Sequence, residues 1–170
     1  MEFTYRIGEY VYYSTNGICL VEDIGVPEFS DAMHYFLRPI SNMNTTIFLP
    51  VNNEILLSKM RSVLSKDEID RIIDSVKTVD NETKWPENKR QRSAYFDEVL
   101  RGNNTQNIFN LASRLHLENL NLAKMGKKPL SCDHNAMLQA EWLIENEFSF
   151  VLKIPNEAVR EYIIAKLNNS

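Results

Sequence analysis

The sequence predicts an α+β protein, a small antiparallel β module followed by a helical half, and three observations point to it. Short runs rich in β-branched and aromatic residues fill positions 1–50, apolar residues at helical spacing take over from Ser65, and residues 78–88, after the first helical run, have no period and contain Pro86. With 44% hydrophobic and 25% charged residues, the composition suits packed domains and excludes fibrous or disordered classes.

Four strand-like runs make up the β module: YVYY (10–13), ICLVEDI (18–24), MHYFLR (33–38) and TTIFLP (45–50). STNG (14–17) and PEFSD (27–31) separate them as turns, and Asn16-Gly17 is a strong hairpin signal because both residues adopt positive φ cheaply. A small, strongly bent sheet or barrel over residues 1–64 follows.

The helical half, residues 65–170, opens with Ser65 and Glu68 at the spacing of a capping box, ahead of Ile69, Ile72, Ile73 and Val76. Pro86 suits the first turn of a helix that runs to Arg101 and stops at Gly102, with Phe96, Val99 and Leu100 facing inward. A helix over 105–124 places Ile108, Leu111, Leu115 and Leu122 on one stripe and ends before Gly126. After the basic loop MGKKPL, Ser131 is positioned to cap a long helix whose buried face is Met137, Ala140, Ile144, Phe148 and Val151, and Asp133 suits its positive end. Pro155 opens a last helix with Val159, Tyr162, Ile163 and Leu167 apolar.

A net charge of −4 argues by itself against nucleic acid, but the distribution is uneven. Residues 1–80 hold 7 Lys/Arg against 12 Asp/Glu, whereas residues 84–128 hold 9 against 4. In that basic middle, Lys89, Arg90 and Arg92 suit phosphate contacts, and Lys127 and Lys128 before the helix start at Ser131 suit the same backbone. Arg114 and Lys124 are equally well read as a solvated helix face.

Catalysis and metal binding have no motif behind them. Cys19 and Cys132 read as reduced thiols, and His34, His116 and His134 have no second ligand at metal spacing. Ser131, Asp133 and His134 have helix-cap spacing without a nucleophile elbow, and neither a phosphate loop nor a dinucleotide fingerprint occurs. No enzymatic activity, cofactor or small-molecule substrate is expected. No run of 18 apolar residues or secretory signal occurs either, so the expected setting is cytoplasmic, away from membranes.

Gly8-Glu9, Val11-Tyr12-Tyr13, Gly17, Val21-Glu22-Asp23-Ile24, Tyr35 and Leu49-Pro50 follow in order over the first fifty or so residues; Trp85, Lys89, Arg90, Arg92, Gly102, Leu130 and Ser131 follow in the second half. This pattern, over about residues 3–152, resembles the CarD/CdnL family of bacterial transcription regulators, whose N-terminal module is shared with transcription-repair coupling factors. The resemblance implies a Tudor-like small antiparallel β-barrel that pairs a strand edge with the β-subunit lobe of RNA polymerase holoenzyme, followed by a compact helical domain on double-stranded promoter DNA. It assigns polymerase contact to Thr46, Ile47, Phe48, Leu49 and Pro50, although the family often carries Arg where Phe48 stands. It assigns DNA contact to Trp85, Lys89, Arg90, Arg92, Lys127 and Lys128, with Trp85 a minor-groove wedge that holds the promoter open without reading sequence.

Two readings of Trp85 stay open on the residues alone: a wedge among cations, or a staple that fixes the boundary segment to the helices. Trp142, in AEWLIENEF, reads as core. The alternative function is a polymerase-bound or other protein-bound adaptor whose helical half recruits a protein through its apolar and acidic surfaces, a reading favoured by the acidic cluster Glu141, Glu145, Glu147, Glu157 and Glu161.

Overall fold

In the computed structural model, which describes residues 2–78 and 84–169, the aromatic and β-branched runs pair into a five-stranded antiparallel open sheet, and helices follow it. The strands are β1 (Tyr10–Tyr13), β2 (Ile18–Gly25), β3 (His34–Pro39), β4 (Ile47–Pro50) and β5 (Met60–Ser62), in the order β4-β3-β2-β1-β5. The chain divides into two units, Met1–Val63 and Leu64–Ser170. Of the aperiodic stretch 78–88, residues 79–83 lie outside the described residues.

Hairpin β1–β2 closes through a 3-10 turn at Ser14–Asn16, where the Tyr13 N–H donates to the Gly17 carbonyl at 2.9 Å. Positive φ falls on Ser14 (47°) and Gly17 (69°), so it is the glycine of the Asn16-Gly17 pair that the turn uses. In β2 the register against β3 shifts between Val21 and Asp23, a bulge that places Glu22 as an extra residue and bends the strand. Alternating residues Val11, Tyr13, Cys19, Val21, Tyr35, Leu37 and Leu49 share one face and form the core with Met60.

Sequence periodicity misses two elements here. A single turn α1 (Glu54–Leu57), capped by Asn53 accepting from the Leu56 N–H, carries the chain from β4 at one edge to β5 at the other, and Leu56 and Leu57 pack on the core. Four residues are too few to show a helical repeat, and three too few to show a strand's alternation.

The second unit contains α2 (Lys66–Ser75), a 3-10 turn (Val76–Thr78), α3 (Lys89–Arg101), α4 (Thr105–Lys124), α5 (Ser131–Leu152) and α6 (Asn156–Asn168). Both reciprocal bonds of the Ser65/Glu68 capping box form, and Ile69, Ile72 and Ile73 are buried beneath. α3 starts at Lys89, later than Pro86 suggests, because the Asn88 side chain accepts from the Arg90 and Gln91 N–H groups and so satisfies the helix start. Gly102 follows α3 in extended backbone, not in the left-handed form of a glycine cap.

α4 ends in a Schellman arrangement: the Lys127 N–H donates to Leu122 O at 2.8 Å, the Gly126 N–H to Ala123 O at 3.0 Å, and Gly126 has φ 68°. This turn sets the direction in which the basic loop leaves the helix. Ser131 is already inside α5, whose cap position is Leu130 with no side-chain bond, so Ser131 is not the cap the sequence suggests.

Glu147 also departs from the sequence reading. It is fully buried (0% accessible), accepting from the Leu64 N–H at 3.2 Å and the Thr105 hydroxyl at 2.9 Å. The side chain that the acidic-surface reading counts as exposed is thus an internal tie between the chain leading into α2, α4 and α5. Cys19 and Cys132 are free thiols, and burial pushes Cys19 up to about 12.

Candidate functional site

β4 ends the sheet, which gives it an edge that β3 does not occupy. Its register, Tyr35 opposite Leu49 and Phe36 opposite Phe48, together with the Val51 N–H bond to Met33 O at 3.0 Å, fixes which backbone groups face which way. Antiparallel pairs alternate between bonded and non-bonded, so Leu49 and Ile47 exchange bonds with β3 while the Phe48 N–H and C=O point away from it. Pro50 occupies a position whose missing N–H would also face outward, so the ladder loses nothing.

Side chains alternate with the backbone. Leu49 is buried in the core and Ile47 is half-buried, whereas Phe48 is 39% accessible. The Phe48 ring meets Phe36, its cross-strand partner, at 4.8 Å between centroids, and Phe29 of the loop between β2 and β3 at 5.0 Å. Phe29 is 69% accessible, so an edge-to-face ridge of phenylalanines stands exposed beside the open backbone of Phe48. Among the sequence-assigned contacts, Phe48 offers backbone and side chain, Thr46, Ile47 and Pro50 border it half-buried, and Leu49 is withdrawn into the core. Sequence reasoning missed Phe29, which sits in a turn-forming stretch, and half-buried Phe36, which shares the Phe48 face because the two stand opposite each other in register.

In the helical unit, an ion pair organises the basic residues. The Arg92 Nε donates to Asp133 Oδ1 at 2.7 Å, its Nη2 bonds Asp133 Oδ2, and the same nitrogen lies 3.4 Å from Glu118. The hydrogen bonds to Asp133 hold the Arg92 guanidinium above its ordinary range. Asp133 itself is buried in the first turn of α5. The bridge therefore fixes the first turn of α3 beside the first turn of α5 and the loop that precedes it. Lys89 and Arg90 on α3, and Lys127 and Lys128 in the loop, are exposed at this same end of the unit, and Lys84 is exposed ahead of Trp85. Two helix N-termini add their partial positive charge there.

That geometry gives both Arg92 and Trp85 partners within the helical unit. Arg92 is directed at the carboxylates of Asp133 and Glu118, since a buried carboxylate without a cation is costly. Trp85 is not displayed to solvent: it is 7% accessible, meets Phe96 edge-on at 5.3 Å, and has the guanidiniums of Arg114 and Arg92 at 4.1 and 5.2 Å from its ring centre. Arg92 and Arg114 thus cover this indole. Conversely Trp142, which the sequence places in the core, is 39% accessible on α5. Cys132, half-buried next to Asp133, has its thiol pushed up by burial and by that carboxylate.

No model of a known protein family matches this chain, and neither does any curated protein. The functional reading consequently rests on the two surfaces. Among the described residues no group of His, Cys, Asp and Glu is arranged to hold a metal ion, and no helix is long and apolar enough to cross a membrane.

Proposed function

We propose that this chain is a transcription regulator of the CarD/CdnL kind, whose β unit docks on the β-subunit lobe of bacterial RNA polymerase and whose helical unit contacts double-stranded promoter DNA. The single observation that supports it most is the edge at β4: a terminal strand with the Phe48 N–H and C=O directed outward and the exposed rings of Phe29 and Phe48, backed by half-buried Phe36, alongside. Strand addition needs both features, because backbone bonds supply affinity and alternate side chains supply selectivity. In this reading the bulge-bent open sheet corresponds to the Tudor-like module of the resembling family, and Phe48 replaces the family's frequent Arg with an apolar contact.

DNA contact in the helical unit falls to Lys89, Arg90, Lys127 and Lys128, which position a duplex through its phosphates without reading sequence. Trp85 serves as the anchor beneath them. A wedge role would first have to expose the indole, which costs on the order of 4–6 kcal/mol of lost apolar burial before any base step is unstacked. With four cations in a chain of net charge −4, affinity for free DNA is weak. Tethering through β4 offsets this by raising the local DNA concentration.

The test is a titration of the full chain with purified polymerase β lobe, paired with open-complex lifetime on a promoter. Lobe binding and a longer lifetime are expected. A chain that leaves the lobe unbound contradicts the proposal.

A further inference from the structure

The helical unit carries another surface that polymerase docking and DNA contact leave unused. Between α4, α5, α6 and the 3-10 turn after α2 runs a groove of about 350 Å³. Its floor is apolar, built from Phe109, Ala112, Ile144, Val159 and Ile163, and Ile164 forms a lip that is 48% accessible. Glu141 and Glu145, one turn apart on α5, line one wall, while Arg160 and His116 supply the basic groups of the lining.

Acid prevails over base along that wall. Burial, then the charges of Glu141 and Glu157, push the Glu145 carboxyl above its ordinary range, and Arg160 only partly opposes them. The trough is thus apolar along its floor and negative along its α5 wall, a pattern complementary to a helix with an apolar stripe and a basic flank. We propose that this groove docks an amphipathic helix of a partner protein, with its apolar residues over Ala112, Ile144 and Ile163 and its Lys or Arg side chains against Glu141 and Glu145. This is recognition by a helix lying in a groove, with anchors at i, i+3, i+4 and i+7. An acidic helix or an anionic lipid surface meets like charge here. The site lies wholly within the helical unit and stands whether or not β4 binds polymerase.

Calorimetric titration of the full chain with two synthetic amphipathic helical peptides tests it. Both carry the same Leu stripe, one flanked by Lys and the other by Glu. The Lys peptide is expected to bind about tenfold or more tightly than the Glu peptide, and the Glu141→Lys/Glu145→Lys double variant to reverse that order. Ile164→Asp separates the two contributions, because it removes the apolar lip while adding negative charge; it is expected to weaken the Lys peptide several-fold. Equal affinity for both peptides, or tighter Lys-peptide binding by Ile164→Asp as bare charge attraction dictates, overturns the proposal. So does a concentration-dependent dimer abolished by Ile164→Asp, which gives the groove to a second copy of the chain.

Discussion

At the scale of single residues, two tryptophans exchange the roles that their sequence neighbourhoods suggest. Trp142 lies two positions from both Ala140 and Ile144, which places it about 200° around the helix from the buried stripe, and it is exposed. That signal was legible in the helical period. Trp85 lies before α3, outside any period, and its cover comes from Phe96 on α3 and Arg114 on α4. No local pattern reveals partners so far along the chain. If Trp85 is an anchor, Trp85→Ala lowers unfolding free energy by about 3–5 kcal/mol in denaturant melts, whereas an exposed wedge changes it by about 0.5 kcal/mol or less. Asp70 offers a second check at this scale. Burial alone would raise its carboxyl, but hydrogen bonds from Lys66 at 2.8 Å and from the Tyr162 hydroxyl at 2.6 Å, with Lys166 nearby, hold it below its ordinary value of 3.8. A carboxylate depressed in the folded state stabilises above its unfolded pKa, and that contribution disappears as pH falls through the folded value. Stability of the Asp70→Asn variant is therefore expected to fall less steeply than that of the wild type as pH drops below 3.8, read from unfolding midpoints across the acid range.

At the scale of elements, caps and periods made most of the helices legible, and residues 10–50 made four of the strands legible. The capping box at Ser65 is the clearest case, since sequence spacing and both hydrogen bonds coincide. Ser65→Ala is expected to cost about 1 kcal/mol in the same melts, while a change within a few tenths would show that the box is not holding α2. α3 begins after Asn88, whose side chain caps it, and α5 begins after Leu130 without a side-chain cap, so Pro86 and Ser131 do not mark the two starts. β5 and α1 escaped notice because each is too short to run through its repeat twice. β4 was legible as a strand but not as an edge. Strand order is a tertiary property, and only with β4 at the end of the sheet do the backbone groups of Phe48 become available.

At the scale of the whole molecule, the acidic balance and the basic middle of the sequence take on distinct meanings. The Arg92–Asp133 bridge turns part of the positive charge inward and leaves Lys89, Arg90, Lys127 and Lys128 at one end of the helical unit. If those four meet phosphates, replacing all of them by Gln lowers the slope of log affinity against log salt by about 0.9 per lost contact, or about 3.6 in total, on polymerase-bound promoter DNA. An unchanged slope assigns them to solvent. The central claim is that β4 lends its open edge to the polymerase β lobe, and Phe48→Pro tests it most directly. Proline there removes the outward N–H and breaks no bond to β3, so the sheet persists, as circular dichroism and thermal melts of the variant report. Titration of full-length wild type and Phe48→Pro with the purified lobe is expected to show about tenfold or greater loss of affinity in the variant; equal affinity for a folded variant contradicts docking through this strand.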